Sequence, residues 1–119
     1  MATTTTNIFR RDANAYPVEA GHIVFETGSD GDLMYAVVDG EIDIVAKGAV
    51  LETIGPGGLF GELALVDSSK RSATAVARTA ATIVPIDKKR FEWLVSEHPT
   101  FALVVMGTMA ERLRRATTD

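Results

Sequence analysis

The chain has 119 residues, a length that fits one compact domain, since domains usually run to roughly 100–200 residues. Hydrophobic residues make up 46% and charged residues 24%, which is an ordinary balance for a protein that folds around its own core. The net charge of −4 argues against binding to duplex DNA, and the absence of cysteine excludes disulfides, zinc–thiolate sites and a thiol nucleophile. The two histidines, His22 and His98, are too far apart to form a spaced metal-ligand motif.

The N-terminal residues are polar and rich in threonine, and they contain no apolar stretch that would serve as a secretory signal or an anchor. We expect residues 1–13 to form a flexible tail with a short helical turn, followed by one domain over residues 14–119. The apolar run Phe101–Met106 is far shorter than the ~20 residues that a bilayer span requires. The expectation is therefore a soluble, cytoplasmic protein with neither a membrane nor a nucleic-acid partner.

From Tyr16 onward, short β-like segments alternate with turns that contain glycine. Strands are predicted at Asn14–Val18, Ile23–Phe25, Leu33–Asp39, Glu41–Lys47, Val50–Ile54, Ser72–Arg78 and Thr82–Asp87. The dipeptide Asp39-Gly40 lies between two such segments and predicts a β-hairpin. Short strands joined by regular turns are typical of an antiparallel β-roll, of the sandwich or jelly-roll kind with about eight strands, over residues 14–87.

Beyond Lys88 the apolar period becomes helical, and His98-Pro99 divides the segment into two helices within residues 88–116. The fold class predicted is thus α+β, a roll followed by two C-terminal helices. The apolar residues of the last helix follow two lines: Phe101, Val105 and Met109 on one, and Ala102, Met106, Ala110 and Leu113 on the other. The first line can pack on the roll, whereas the second is either buried in the monomer as well or contacts a ligand, a second chain or an output domain.

Residues 57–74 combine residue types that suit an anionic ligand. Glycines allow the backbone to approach a ligand closely, and the start of a short helix after Phe60 would present N–H groups to it. Arg71 brings a planar fork of donors that fits two phosphate oxygens, and Glu62 can accept a hydrogen bond from a sugar hydroxyl. Taken singly, a residue such as Glu62 is more often a surface acid at a helix start, and one such as Arg71 is more often a solvated charge at a strand edge.

Taken together, these residues resemble the phosphate-binding cassette of the cyclic nucleotide-binding domain family. The family pattern reads Phe-Gly-Glu-Leu-Ala-Leu, then a few variable residues, then usually Pro-Arg-Ala-Ala. This chain carries the first part intact at Phe60–Leu65 and has Lys-Arg-Ser-Ala at Lys70–Ala73, with the family's usual glutamate-to-arginine spacing. The resemblance extends from Tyr16 to Arg115, and the upstream glycines look like turns of the family's roll, scaffold and not site.

The resemblance implies that Glu62 accepts the ribose 2′-hydroxyl and that Arg71 pairs with the phosphate. The predicted ligand-binding residues are Gly61, Glu62, Leu63, Ala64, Arg71 and Ser72, with backbone N–H groups from Gly61 to Ala64 and the Ser72 hydroxyl completing the phosphate contacts. Two residues depart from the family pattern, Lys70 for the common proline and Ser72 for the common alanine. Neither change removes a side chain that contacts the ligand.

The resemblance further implies a regulatory sensor and not an enzyme, with no catalytic residue, no metal and no cofactor beyond the ligand itself. We expect the ligand to be cAMP more readily than cGMP, because a serine at position 72 is short for strong selection of guanine. The last helix is expected to move on binding and to signal to a protein partner, an output domain or a second copy of the chain.

Two other functions are alternatives to this one. A roll of this family that has lost ligand binding would serve as an interaction or dimerisation module. A cupin-like metalloenzyme would need several histidines and a carboxylate converging on one metal, which two separated histidines do not supply.

Overall fold

The computed structural model describes residues 8–67 and 70–118. Eight strands and three helices lie within these residues. The strands are β1 (Tyr16–Val18), β2 (Ile23–Phe25), β3 (Met34–Asp39), β4 (Ile42–Ala46), β5 (Ala49–Ile54), β6 (Leu59–Phe60), β7 (Thr74–Ala77) and β8 (Ala81–Ile86). The helices are α1 (Leu63–Val66), α2 (Lys88–Glu97) and α3 (Thr100–Thr118).

The strands form two four-stranded sheets, in the order β1-β8-β3-β6 and β2-β7-β4-β5, and every pairing is antiparallel. The predicted α+β arrangement, an antiparallel roll with a short cassette helix and two C-terminal helices, is confirmed. One strand, β6, was not predicted, because two residues between glycines are too few to display an alternating pattern.

The hairpin predicted at Asp39-Gly40 is wrong. β3 pairs with β6 and β8, whereas β4 pairs with β5 and β7, so the chain crosses from one sheet to the other at this point. Gly40 is required there because φ is +80° and a Cβ atom would lie 2.2 Å from the carbonyl oxygen of Ala80. The tight hairpin lies instead between β4 and β5, where Lys47 and Gly48 have φ values of 53° and 77°.

Two apolar cores hold the domain together. The first lies between the sheets and includes Tyr35 and Val37 of β3. The second lies between the β1-β8-β3-β6 sheet and the C-terminal helices, and it includes Met34 and Ala36 of the same strand. Because both faces of this sheet are covered, four consecutive residues of β3 are buried and the strand shows no polar face.

The C-terminal helices pack as their periodicity predicted. Leu94 of α2 is 1% exposed, and Phe101 and Val105 of α3 belong to the second core. The second apolar line of α3 is not buried, since Met106 is 59% and Leu113 66% exposed. The alternative in which the monomer buries all the apolar residues of this helix is therefore wrong.

The segment before β1 joins the same core. Phe9 is 1% exposed, and its ring packs edge-on against Phe101 with the ring centres 5.9 Å apart. Asp12 pairs with Arg90 of α2. The division of the chain into residues 1–13 and 14–119 stays a prediction, and residues 1–7 of the predicted tail lie outside the described residues.

Candidate functional site

A cavity of about 200 Å³ opens between β6, α1 and the segment that leads into β7. All six residues predicted from the sequence line it: Gly61, Glu62, Leu63, Ala64, Arg71 and Ser72. The cassette achieves this locally, because α1 is a single turn that reverses the chain after β6 and returns it toward β7. The structure therefore brings the predicted residues together at one place.

Arg71 is partly buried beneath the cavity. Its guanidinium lies over the ring of Phe25, 3.9 Å from the ring centre, and its Nη1 and Nη2 atoms donate to the carbonyls of Gly61 at 3.2 Å and Leu33 at 2.7 Å. Burial lowers the pKa of Arg71, against smaller opposing effects of nearby groups, and an arginine remains charged at neutral pH. Arg71 is thus no solvated strand-edge charge.

The charge of Arg71 is not balanced by a paired acid. Among the described residues no carboxylate lies within ion-pair distance of its guanidinium. Its Nε atom is buried, and no atom of the described residues accepts a hydrogen bond from it. A partly desolvated cation without a counter-charge favours an anion in the adjoining cavity.

Glu62 is buried, with 4% of its surface exposed, although it occupies the residue before α1. Its side chain does not cap the helix. Instead, Oε1 accepts a hydrogen bond of 2.5 Å from Nη1 of Arg112. The alternative in which Glu62 is a surface acid favoured by the helix dipole is therefore excluded.

Arg112 of α3 is a residue of the cavity that the cassette motif did not predict. Besides Glu62, its guanidinium donates to Glu52 of β5 through Nε at 3.0 Å and to the carbonyl of Leu59 through Nη2 at 2.8 Å. Burial alone would lower the pKa of Arg112, but the hydrogen bonds and charges of Glu62 and Glu52 outweigh it and raise the pKa. Arg112 thus connects the last helix to the cassette.

The other cavity residues frame these charges. Ser72 and Leu63 are exposed at the rim, and Leu63 is 51% exposed. The N–H of Ala64 donates to the carbonyl of Gly61 at 3.2 Å, a bond within the turn itself. Lys70, which replaces the family's proline, pairs with Asp30 at 2.5 Å, so this departure attaches the cassette to the loop between β2 and β3.

Chemically, the cavity offers a cation for an anion and a buried carboxylate for a hydroxyl group. Neither the cavity nor any other part of the described chain groups three acidic or histidine side chains in a way that could hold a metal ion. None of the described helices has the length and the apolar character needed to cross a membrane.

Comparison with known proteins agrees with this arrangement. The family model for the cyclic nucleotide-binding domain matches residues 17–98, and the chain belongs to that family. Curated relatives include a cyclic nucleotide-gated potassium channel of Mesorhizobium japonicum, 34% identical over 102 residues, and the CRP-like cAMP-activated global transcriptional regulator of Mycobacterium tuberculosis, 28% identical over 104 residues. The match covers 86% of this chain and 28% of the channel, and 83% of this chain and 46% of the regulator.

Solved structures show the same fold. The catabolite activator protein of Thermus thermophilus superposes with a TM-score of 0.78 at 27% identity, over 98% of this chain and 57% of that one. A structure from work on a cyclic-GMP-dependent signalling pathway in bacterial phytopathogenesis gives 0.74 at 28% identity, over 98% and 95% of the two chains. The two curated relatives described above are a channel and a transcriptional regulator, and the chain spans less than half of each.

Proposed function

We propose that this domain binds a cyclic nucleoside monophosphate and acts as a regulatory sensor. Arg71 binds the phosphate, Glu62 accepts the ribose 2′-hydroxyl, and Gly61, Leu63, Ala64 and Ser72 complete the site. The observation that carries the proposal is the partly buried guanidinium of Arg71, which has no carboxylate partner among the described residues and lies in the same cavity as the buried Glu62. A cyclic phosphodiester carries a single negative charge and would supply the counter-ion for this cation.

The ion pair with Arg112 is compatible with a ribose contact. An ionised carboxylate offers about four acceptor positions, so Glu62 can hold Arg112 and still accept a hydroxyl proton. The ion pair with Arg112 also holds the carboxylate at the cavity. A residue on α3 therefore shares the acceptor that the sugar would use.

This shared contact supports a route for the signal. A ligand hydroxyl on Glu62 changes the surroundings of Arg112, and Arg112 in turn holds α3 against Glu52 and Leu59. We infer that binding alters the position or the stability of α3, and that this change is read by a protein partner or by a second copy of the chain. The exposed apolar residues Leu103 and Met106 provide a surface for that contact.

We propose cAMP as the preferred ligand, with weak discrimination against cGMP, because the Ser72 hydroxyl is short and its side chain lies at an exposed position. The site supplies a cation and a hydrogen-bond acceptor but no group assigned to activate water, so the ligand is expected to leave unchanged. We also propose a cytoplasmic location, which the cysteine-free sequence supports.

Isothermal titration of the Arg71→Ala variant with cAMP and cGMP tests the proposal. We expect the variant to bind cAMP at least about 100-fold more weakly than the native protein, roughly 2.7 kcal/mol, because a desolvated anion loses its counter-charge. Arg78→Ala is the matched control, since Arg78 carries the same charge on an exposed side chain outside the cavity. Equal affinity of the two variants, or native protein that binds neither nucleotide, would contradict the proposal.

The same samples test ligand preference and turnover. Competition in which cGMP wins by more than about tenfold would overturn the preference for cAMP. Chromatography of the recovered nucleotide should show only the cyclic form, and accumulation of the linear monophosphate beyond the amount of protein would contradict the role of a sensor without catalytic activity.

A further inference from the structure

The loop between β2 and β3 holds the backbone of Arg71 from both sides. The N–H of Arg71 donates to the carbonyl of Ser29 at 2.9 Å, and the N–H of Gly28 donates to the carbonyl of Arg71 at 2.7 Å. The same loop supplies Leu33, whose carbonyl accepts from Nη2 of Arg71 at 2.7 Å. A segment about 40 residues upstream of the cassette thus fixes the arginine at the cavity.

Gly31, in the middle of this loop, lies against the guanidinium itself. A Cβ atom on Gly31 would lie 2.2 Å from Nε, 2.5 Å from Cζ and 2.6 Å from Nη2 of Arg71, and these are its three nearest atoms. Gly31 does not have a positive φ, so an alanine at this position would not suffer the strain of the left-handed region. The nearest obstacle to a side chain at this position is therefore the Arg71 guanidinium, which would have to move.

Phe25 covers a face of the guanidinium, and its ring centre is 3.9 Å from Cζ. We call the space bordered by Gly31 and Phe25 the slot, and the Arg71 guanidinium lies in it with its two Nη atoms bonded to backbone carbonyls. A planar donor group confined in this way loses little rotamer entropy when it binds an anion. Within the cassette, Gly61 touches Nη1 as well, but its φ of +76° requires glycine for the turn in any case.

We propose that Gly31 is a positioning residue of the binding site, which admits the Arg71 guanidinium to the slot and aims it at the ligand phosphate. The expected effect of Gly31 on ligand affinity rests on the proposed function. Its expected effect on the position of Arg71 in the ligand-free protein does not. The positioning role also replaces the role expected of this glycine from the sequence, which assigned it to a turn of the scaffold.

The Gly31→Ala variant tests the inference, with Gly55→Ala as the matched control. Gly55 has no positive φ and nothing within 4 Å of its Cβ position, so this control adds the same methyl group without a contact. In the ligand-free protein, the Nε–H resonance of Arg71, assigned by its loss in Arg71→Ala, should shift in Gly31→Ala and stay in place in Gly55→Ala. Affinity for cAMP should fall at least about tenfold in Gly31→Ala and stay within about twofold in Gly55→Ala.

A double variant distinguishes positioning from simple damage to the fold. Arg71→Ala removes the three atoms nearest to the added methyl group, so Gly31→Ala should lower the melting temperature of the native background and leave that of the Arg71→Ala background unchanged. An equal drop in both backgrounds, an unmoved Nε–H resonance or native affinity for cAMP in Gly31→Ala would overturn the inference. Failure of the native protein to bind any cyclic nucleotide would contradict the proposed function instead, while the resonance and the melting temperatures would still decide the position of Arg71.

Discussion

Arg71 and Glu62 are opposite charges in one cavity, yet their surroundings differ. The carboxylate of Glu62 is paired with Arg112, and 4% of its side chain is exposed. The guanidinium of Arg71 contacts carbonyls and an aromatic face, and no carboxylate of the described residues forms an ion pair with it. A partly buried charge without a direct counter-ion is costly unless a ligand supplies one, and this asymmetry supports the phosphate-binding role proposed for Arg71.

The role proposed for Glu62 leads to a test based on the sugar. Glu62→Gln keeps the shape of the side chain but weakens the acceptor, so cAMP should bind about tenfold more weakly, roughly 1.4 kcal/mol. The loss should be smaller for 2′-deoxy-cAMP, which lacks the hydroxyl group. Titration calorimetry with both ligands measures the difference.

Glu52→Gln is the matched control for this test. Glu52 also accepts from Arg112 but does not line the cavity, so its substitution should affect both ligands to the same extent. If Glu62→Gln also weakens cAMP and 2′-deoxy-cAMP equally, Glu62 acts through Arg112 alone and not on the ribose.

The sequence predicted those residues of the site that are neighbours along the chain. The cassette motif predicted Glu62 and Arg71, which the structure brings into one cavity. Arg112 is 50 residues beyond Glu62 and lies outside the motif. A signal was nevertheless present, because Arg112 follows Met109 by three positions and so continues the face of α3 that packs on the roll.

The elements themselves were predicted better than their pairing. The residues of Asp39-Gly40 suit a hairpin, but the chain instead passes there between two sheets. A two-residue turn and a crossing between sheets both need a residue with positive φ, so the local signal is the same. The distinguishing fact is the close approach to Ala80, which lies 40 residues downstream and cannot be recognised from a local pattern.

The helix α3 is fastened at its C-terminal half by ion pairs to β5 and to the cassette. Glu52 accepts from both Arg112 and Arg115, and Glu62 accepts from Arg112. The N-terminal half is held by apolar packing of Phe101 and Val105. The C-terminal half of α3, which touches the site, is thus held by polar contacts that a ligand can alter. The N-terminal half is anchored in the core.

Arg112→Met removes the donors and keeps the length of the side chain. We expect amide hydrogen exchange in residues 109–116 to become faster in the ligand-free protein, because the contacts to Glu52, Glu62 and Leu59 are lost. Addition of cAMP should slow exchange in residues 100–115 of the native protein and should do so less in the variant. Exchange measured by mass spectrometry follows both changes.

Glu111→Gln serves as the control on the same helix, since Glu111 is exposed and does not line the cavity. Exchange in this variant should match that of the native protein. If saturating cAMP leaves the exchange of α3 unchanged in the native protein, the helix is a fixed element and the signal must leave by another route.

Across the whole molecule, the exposed apolar side chains of α3 have a consequence for assembly. Leu103 and Met106 are 67% and 59% exposed, and exposed apolar residues of this size on one helix face favour a partner. If that partner is a second copy, sedimentation velocity should show a dimer whose fraction rises with concentration, and Met106→Glu should shift it to the monomer. If the native protein stays monomeric at all concentrations, with and without cAMP, a second copy is not the partner, and a different protein would bind this surface.

The segment before β1 contacts the C-terminal helices. Phe9 packs against Phe101, and Asp12 accepts from Nη1 of Arg90 at 3.1 Å and from the N–H of Asn14 at 2.8 Å. The carboxylate of Asp12 is 6% exposed, so this contact pairs a buried acid with a cation outside the cavity. Burial raises the pKa of Asp12, but the hydrogen bonds from Arg90 and Asn14 and the charge of Arg90 outweigh burial and lower it.

A lowered pKa fixes the direction of the pH dependence. The fold favours the ionised form of Asp12. Its contribution to the free energy of unfolding is therefore fully present above the unfolded pKa of about 3.8 and is lost as the pH falls through the lower folded value. Asp12→Asn should therefore reduce the stability by about 1–3 kcal/mol at pH 7, and the difference from the native protein should shrink below about pH 4. Urea unfolding followed by circular dichroism at pH 7, 5, 4 and 3 measures this difference, with Asp30→Asn as the control because the Asp30–Lys70 pair is exposed and should change the midpoint little. A gap between Asp12→Asn and the native protein that stays constant down to pH 3 would mean that the carboxylate of Asp12 contributes no charge-dependent stability.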